Sequence, residues 1–278
     1  MTLPPIKLLL SDVDGTLVTR DKRLTPRALA AVKALRDRDV AFALTSSRPP
    51  RGLVQLVGPL GLTLPLAGFN GGAIVAPDLS PLETRPLGRT LAAEAVALFR
   101  SKGLDVWVYT ADLWIVPDPK GAHVERERFI LGFDATVQES PRPEDVALAV
   151  KIVGVGDDAD AMAAAEAEAG RLFAGRASAS RSEPHFIDVT HLEANKGFVV
   201  TWLSRRLAIA PAAIATIGDM ANDVRMFERS GVSVAMGNAG PDVRAKASAV
   251  TDDNEHDGFA KAVEALLAGR LPTAKDAA

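Results

Sequence analysis

The chain has 278 residues, 47% of them apolar, and a formal charge of −3 from 32 basic and 35 acidic side chains. That length supports one large or two smaller domains with a real core, and the missing basic excess disfavours nucleic acid or an anionic membrane as a partner. With no cysteine and only four histidines, disulfides, thiolate catalysis and Cys-ligated zinc are excluded, so any metal is expected on oxygen ligands.

No stretch approaches the ~20 apolar residues of a membrane span and no signal-peptide pattern is seen, which makes the cytoplasm the expected location. The apolar run Ile6 to Leu10 reads as a strand buried on both faces. It ends in Ser11-Asp12-Val13-Asp14-Gly15-Thr16, so two carboxylates stand at a strand tip with a glycine turn behind them. Ligands of open α/β sheets sit outside the carboxyl ends of the strands, although an ordinary acidic turn uses the same residues. Thr25-Pro26 with Leu29, Val32 and Leu35 reads as a capped amphipathic helix. A second buried strand spans Val40 to Leu44, followed by Thr45-Ser46-Ser47-Arg48 and a Pro49-Pro50 break. A third strand, Leu64 to Ala67, ends in Gly68-Phe69-Asn70-Gly71-Gly72, and Ala73 to Ala76 returns from it.

The texture changes near Pro77. A helix at Thr90 to Lys102, strands at Leu104 to Tyr109 and Leu113 to Val116, and a weak helix at His123 to Leu131 come first. Val146 to Val153, an alanine-rich helix from Asp158 to Phe173, and strands near Ala177 to Arg181 and His185 to Thr190 follow. Hairpin-length links and two long helices suggest an α+β module with helices on one face of a sheet.

The alternating pattern then resumes with a helix at Lys196 to Leu207, a strand at Ile214 to Ile217, Gly218-Asp219-Met220-Ala221-Asn222-Asp223, and a helix to about Arg229. A strand at Val232 to Ala235, a short helix after Gly237-Asn238-Ala239-Gly240-Pro241, a strand near Ala249 to Thr251 and a helix at Phe259 to Leu267 complete it. Residues 269–278 are polar and expected to fray. The fold class is therefore α/β, a Rossmann-like, doubly wound, mostly parallel sheet with an inserted α+β domain. The core is expected in residues 1–82 and 191–278, with the insertion at 83–190.

A doubly wound sheet gathers strand ends at one rim, which collects the chemistry-bearing residues. Asp12 suits a nucleophile, since an Asp with a pKa of about 3.9 is ionised without a base. A divalent cation removes its repulsion from phosphate, and Mg2+ favours one or two carboxylates plus phosphate oxygens; Asp219 and Asp223 meet that demand. Asp14 suits the proton donor to the leaving oxygen; crowding by carboxylates raises its pKa and a nearby metal lowers it. Ser46 and Lys196 can hold the non-bridging oxygens, and Arg48 and Asn70 can add donors. Lys196 at a helix start opposes the macrodipole, at a cost of about 0.3–1 kcal/mol that an anion would offset.

In this order, Asp12-x-Asp14-Gly15-Thr16, Ser46, Lys196 and Gly218-Asp219-x-x-Asn222-Asp223 resemble the four motifs of the haloacid dehalogenase superfamily. The Asn70-Gly71 turn, the Ser46-x-Arg48 form of the second motif, the large insertion and Ala235-Met236-Gly237-Asn238-Ala239 resemble its Cof-type, class IIB phosphatases. The resemblance implies an aspartyl-phosphate on Asp12 and a mobile cap. It also implies Mg2+ on Asp12, the Asp14 carbonyl and Asp219, with Asp223 direct or through water and Asn222 holding the metal loop or substrate. Ser47 stands where relatives commonly have glycine, and Gly72 where they have alanine.

In such enzymes the cap chooses the leaving group, and His123, Arg126, Arg128, Arg181, Glu183 and His185 are the polar cap candidates. Trp107, Tyr109 and Trp114 are expected to pack the cap. The expected substrate is a small phosphorylated metabolite, sugar phosphates first. The rivals are a hexose phosphomutase and a non-catalytic phosphate-ligand-binding protein. Loss of Asp12 or Asp14 would mark the latter, and both are present. A P-loop kinase is disfavoured because no Gly-x-x-x-x-Gly-Lys-Ser/Thr sequence occurs.

Overall fold

The computed structural model describes residues 5–272. Strand and helix alternate from the start: β1 (Leu8–Ser11), α1 (Pro26–Arg36), β2 (Ala41–Thr45), α2 (Val54–Leu60) and β3 (Leu66–Gly68). Two returning strands, β4 (Ala73–Val75) and β5 (Pro81–Thr84), then pair antiparallel. The inserted module comprises α3 (Arg89–Ser101), β6 (Asp105–Tyr109), β7 (Trp114–Val116), α4 (Val124–Leu131), β8 (Thr136–Val137), α5 (Pro143–Ala147), β9 (Lys151–Val155), α6 (Ala159–Leu172), β10 (Ser178–Glu183) and β11 (Phe186–Thr190). The chain closes with α7 (Lys196–Leu207), β12 (Ile214–Gly218), α8 (Val224–Phe227), β13 (Val232–Ala235), α9 (Pro241–Arg244), β14 (Ala249–Val250) and α10 (Gly258–Leu267).

The larger sheet has the order β14-β13-β12-β1-β2-β3-β4-β5 and is parallel from β14 to β3. The chain runs outward from β1 through β2 and β3, then returns at β12 on the other side of β1. That reversal is the topological switch point, where strand ends part and leave a crevice. The apolar β1 is covered on both faces: Leu9 packs with α1, α2 and α10, while Leu8 and Leu10 pack with α7 and α8. Each such leucine stabilises the fold by about 1.5–3 kcal/mol. Thr25 caps α1 as expected, accepting the Ala28 N–H at 3.1 Å, with Pro26 in the first turn.

The inserted module has a six-stranded sheet, order β10-β11-β9-β6-β7-β8, antiparallel except for the β7–β8 pair. Helices α3, α5 and α6 cover one face, against Val106, Val108, Ile152, Ile187 and Val189. The opposite face carries Trp107, Tyr109, Trp114 and Val153, closed over by Val124 and Leu131 of α4, by Phe69 in the turn after β3 and by Ala73 of β4. The three large aromatics therefore pack, as expected.

Several segments depart from the pattern read in the sequence. Helix α2 holds Gly58 and Pro59, which hide it from propensity reasoning. Strand β5 starts on a proline and is largely exposed at the sheet edge, where a missing N–H is tolerated. The apolar stretch Val146 to Val153 divides, with α5 ending at Ala147 and β9 beginning at Lys151. Of the expected polar tail, residues 273–278 lie outside the described residues. Among the described residues no helix is long and apolar enough to cross a membrane.

Candidate active site

Asp12 follows β1 directly, its N–H donating to the Ile217 carbonyl of β12 at 2.9 Å. Lys196, the first residue of α7, places its ammonium between two carboxylates, 2.6 Å from Asp12 Oδ1 and 2.5 Å from Asp223 Oδ1. The helix is capped by Asn195, which accepts the Phe198 N–H at 3.0 Å. The charge that opposes the α7 dipole is thus offset by Asp12 and Asp223. Burial would lower the Lys196 pKa, but these two carboxylates outweigh it and raise it.

Asp219 follows β12, and the next turn is shaped by Asp223, whose Oδ2 accepts the N–H groups of Asp219 at 2.9 Å and Met220 at 2.8 Å. With Oδ1 on Lys196 and no exposure, Asp223 braces the loop. Asp219 accepts from Thr16 Oγ1 at 3.1 Å and from Asn238 Nδ2 at 3.1 Å. Asn238 also donates to the Gly15 carbonyl at 2.9 Å. Gly15 has φ +77, and a Cβ there would lie 2.3 Å from Asp219 Oδ2, so conformation and close approach both require glycine.

Burial first, then Asp223, pushes the Asp219 carboxyl up to about 6 against the opposing pull of Lys196. Asp12 is raised by burial too, with Asp223 and Asp219 adding to it and Lys196 opposing. Carboxylate oxygens of Asp12, Asp219 and Asp223 lie within 4.8 Å of one another. Three buried acids around one ammonium leave an excess of negative charge, and their all-oxygen donor set could hold a hard cation.

Asp14 stands beside this cluster in other company. Arg48 binds it through Nε and Nη2, and Lys22 Nζ reaches Oδ1 at 2.6 Å. Arg48 also donates to the carbonyl of Ile130 in α4 at 3.0 Å, which ties the inserted module to the core. Ser46 is buried after β2, and its Oγ accepts the Arg48 N–H at 3.1 Å. Asn70 adopts φ +57, a region asparagine tolerates, and its Oδ1 accepts from Asn222 Nδ2 at 3.0 Å. The other amide oxygen, Asn222 Oδ1, is buried without a partner.

All the expected site residues thus lie around the ends of β1, β2, β3 and β12 and the start of α7. Reasoning from sequence passed over Lys22, since a lysine in a polar turn looks solvated, and it named Asn238 only within the Ala235–Ala239 motif, whose use shows once that loop meets Gly15. The polar cap candidates behave differently. His123 and His185 stack at 3.8 Å, His123 pairs with Asp157, and Arg126 pairs with Glu183. Arg128 pairs with Glu125 and Arg181 with Glu166, so these residues engage one another within the inserted module.

An acidic, metal-capable crevice at the switch point of a doubly wound sheet, with an inserted α+β module packed beside it, is the architecture of a capped enzyme with a Rossmann-like core. A sequence model of the haloacid dehalogenase-like hydrolases matches residues 9–263. The chain is similar to an HMP-PP phosphatase of Serratia proteamaculans, 26% identical with 84% of each chain covered. It is also similar to a 5-amino-6-(5-phospho-D-ribitylamino)uracil phosphatase of Bacillus subtilis, 25% identical over 93% of this chain and 94% of that one. A haloacid dehalogenase-like hydrolase of Bacteroides thetaiotaomicron has the same fold, with a TM-score of 0.86 at 25% identity over 94% and 99% of the two chains. The chain belongs to the haloacid dehalogenase-like hydrolase family.

Proposed function

We propose that this chain is a Mg2+-dependent phosphatase of small phosphorylated metabolites, sugar phosphates first, which carries the phosphoryl group on Asp12. The observation that supports it best is the buried set Asp12, Asp219 and Asp223 around Lys196. Asp12, Asp219 and the Asp14 carbonyl would hold the Mg2+, with Asp223 bracing the loop behind them. When bound, the ion neutralises charge on the phosphate and on Asp12.

The Asp12 carboxylate, aimed by Lys196, attacks phosphorus while the ester P–O bond breaks. Asp14, which takes up a proton once the arriving phosphate has drawn Arg48 and Lys22 from its carboxylate, gives that proton to the departing oxygen. Water then attacks the phosphorus and surrenders a proton to Asp14, which frees inorganic phosphate and restores Asp12. Lys196 and Ser46 steady the oxygens of the transferring group, with Arg48, Asn70 and Asn222 at its rim. The printed names of relatives, an HMP-PP phosphatase and a phosphoribitylaminouracil phosphatase, support a small phosphorylated substrate. Its proposed place is the cytoplasm, where such metabolites are made and used.

Phosphate release from a panel of phosphomonoesters tests the reading. Turnover should stop in EDTA and return with Mg2+. Metal-independent turnover removes the bridging role, and isomerised sugar phosphate without phosphate release makes the chain a mutase.

A further inference from the structure

Helix α7 turns one side away from the core. Val199, Val200 and Leu203 are buried beneath it, whereas Phe198, Thr201, Trp202, Arg205 and Arg206, spaced i, i+3, i+4, i+7 and i+8, share the outer side. A cavity of about 570 Å3 lies along that outer side. Its other wall is Glu83 of β5, Arg85 where the chain leaves the core for the inserted module, and Glu193 where it returns. The volume is that of a small-ligand pocket. The cavity stands apart from the reaction crevice, since Arg205 lies about 14 Å beyond Lys196 along the helix axis.

The acids of this cavity are engaged and its outer cations are not. Glu83 Oε1 accepts from Arg85 Nη2 at 2.7 Å, and its Oε2 accepts the Trp202 indole N–H at 2.7 Å. Arg85 also reaches Glu193 Oε2 at 3.2 Å and lies 3.8 Å over the Phe198 ring. Among the described residues, Arg205 and Arg206 are exposed and have no ion-pair or hydrogen-bond partner. Arg229 donates to Thr201 Oγ1 at 3.1 Å and likewise meets no carboxylate. The C-terminal end of a helix carries only about half a negative charge, so the two arginines in the last turn of α7 more than offset it. The surplus positive charge stands beside a half-buried indole that Glu83 holds in the cavity wall.

We infer that this cavity binds a nucleoside phosphate, with the phosphate held by Arg205 and Arg206 and the base stacked on Trp202. Guanidinium groups meet phosphate oxygens through parallel N–H···O bonds and carry their charge at every physiological pH. A planar base covers the indole and gains stacking energy that a sugar does not supply. Inorganic phosphate engages the arginines alone, and a free nucleoside engages the indole alone. Neither contact involves the reaction crevice.

Calorimetric titration of the intact chain with AMP, adenosine and inorganic phosphate, with EDTA present, tests the site. Of the three tryptophans, Trp107 and Trp114 are each 1% exposed, so quenching of Trp202 fluorescence reports the stacked base. AMP should bind at least about tenfold more tightly than adenosine or phosphate and should quench that fluorescence. Arg205→Gln/Arg206→Gln should weaken AMP binding at least about tenfold, with an unchanged melting temperature reporting the fold. Trp202→Phe should abolish the quenching. A wild type that does not bind AMP, or that binds phosphate as tightly as AMP, overturns the site. Undiminished AMP binding by the arginine variant overturns it as well, because the nucleotide then sits elsewhere on the chain.

Discussion

Arg48 grips Asp14 through two parallel hydrogen bonds, Nε to Oδ2 at 2.7 Å and Nη2 to Oδ1 at 2.6 Å, while its Nη1 reaches the Ile130 carbonyl. One guanidinium therefore touches both the acid beside the nucleophile and the backbone of the inserted module. Burial would raise the Asp14 pKa, but Arg48 and Lys22 together outweigh it and hold the carboxyl at about 2. A group that protonates a leaving oxygen works best with a pKa near the operating pH, so this grip has to loosen as the incoming phosphate draws the two cations. Arg48→Lys keeps the charge and loses the fork. It should lower kcat roughly 10–100-fold, the equivalent of the ~1.5–3 kcal/mol of a hydrogen bond to a charged group, with a smaller change in KM. Steady-state kinetics decide this, and a loss confined to KM would place Arg48 on the substrate alone.

Asp12→Asn should abolish turnover, since the amide is no nucleophile; single nucleophile deletions cost on the order of 10⁶-fold in kcat. The fold should survive, because Lys196 keeps its contact with Asp223 and the amide fills the same volume. Phosphate release and circular dichroism check the two halves. Substantial activity in a folded variant removes Asp12 from the chemistry.

Lys196→Met separates charge from volume. The methionine can occupy the tunnel of the lysine stem, but it leaves the carboxylates of Asp12 and Asp223 buried and facing each other. Breaking a buried pair in this way costs about 3–5 kcal/mol. Urea unfolding in EDTA should show that loss, and saturating Mg2+ should recover part of it by replacing positive charge near Asp12. An EDTA midpoint equal to that of the wild type would mean that the ammonium contributes nothing to stability.

The parallel core was legible because its strands are short apolar runs closed by turn residues, with β1 and β13 the plainest cases. Helix α7 starts at Lys196 as expected, because Asn195 is a strong cap residue ahead of an apolar periodic stretch. What stayed hidden was local weakness rescued by tertiary contact. Helix α2 carries Gly58 and Pro59, yet Leu56 and Leu60 anchor it in the core. At the site, Asp12, Asp14, Asp219 and Asp223 could be gathered from their positions at strand ends. Their division of labour could not, because it depends on which cation each one meets: Lys196 for Asp12 and Asp223, Arg48 and Lys22 for Asp14.

Stability and metal affinity should be linked through Asp219, whose carboxyl sits at about 6 in the folded chain because of burial and Asp223. An unfolded aspartate titrates at about 3.9. Between those values the folded chain keeps a proton that the unfolded chain has lost. Its stabilising contribution is therefore complete below about 3.9 and is lost as pH rises through about 6. Asp12, also raised, acts in the same direction, whereas the depressed Asp14 contributes stability that is lost only as pH falls toward about 2. In EDTA the urea midpoint of the wild type should fall between pH 4.5 and 6.5 relative to that of Asp219→Asn, which cannot titrate at this position. Mg2+ requires ionised ligands, so the stabilisation it adds should grow over the same interval and level off above it. Parallel midpoints for the two proteins in EDTA would show that Asp219 is already ionised at low pH, and that the crowding of Asp12, Asp219 and Asp223 is relieved by something other than a proton or a cation.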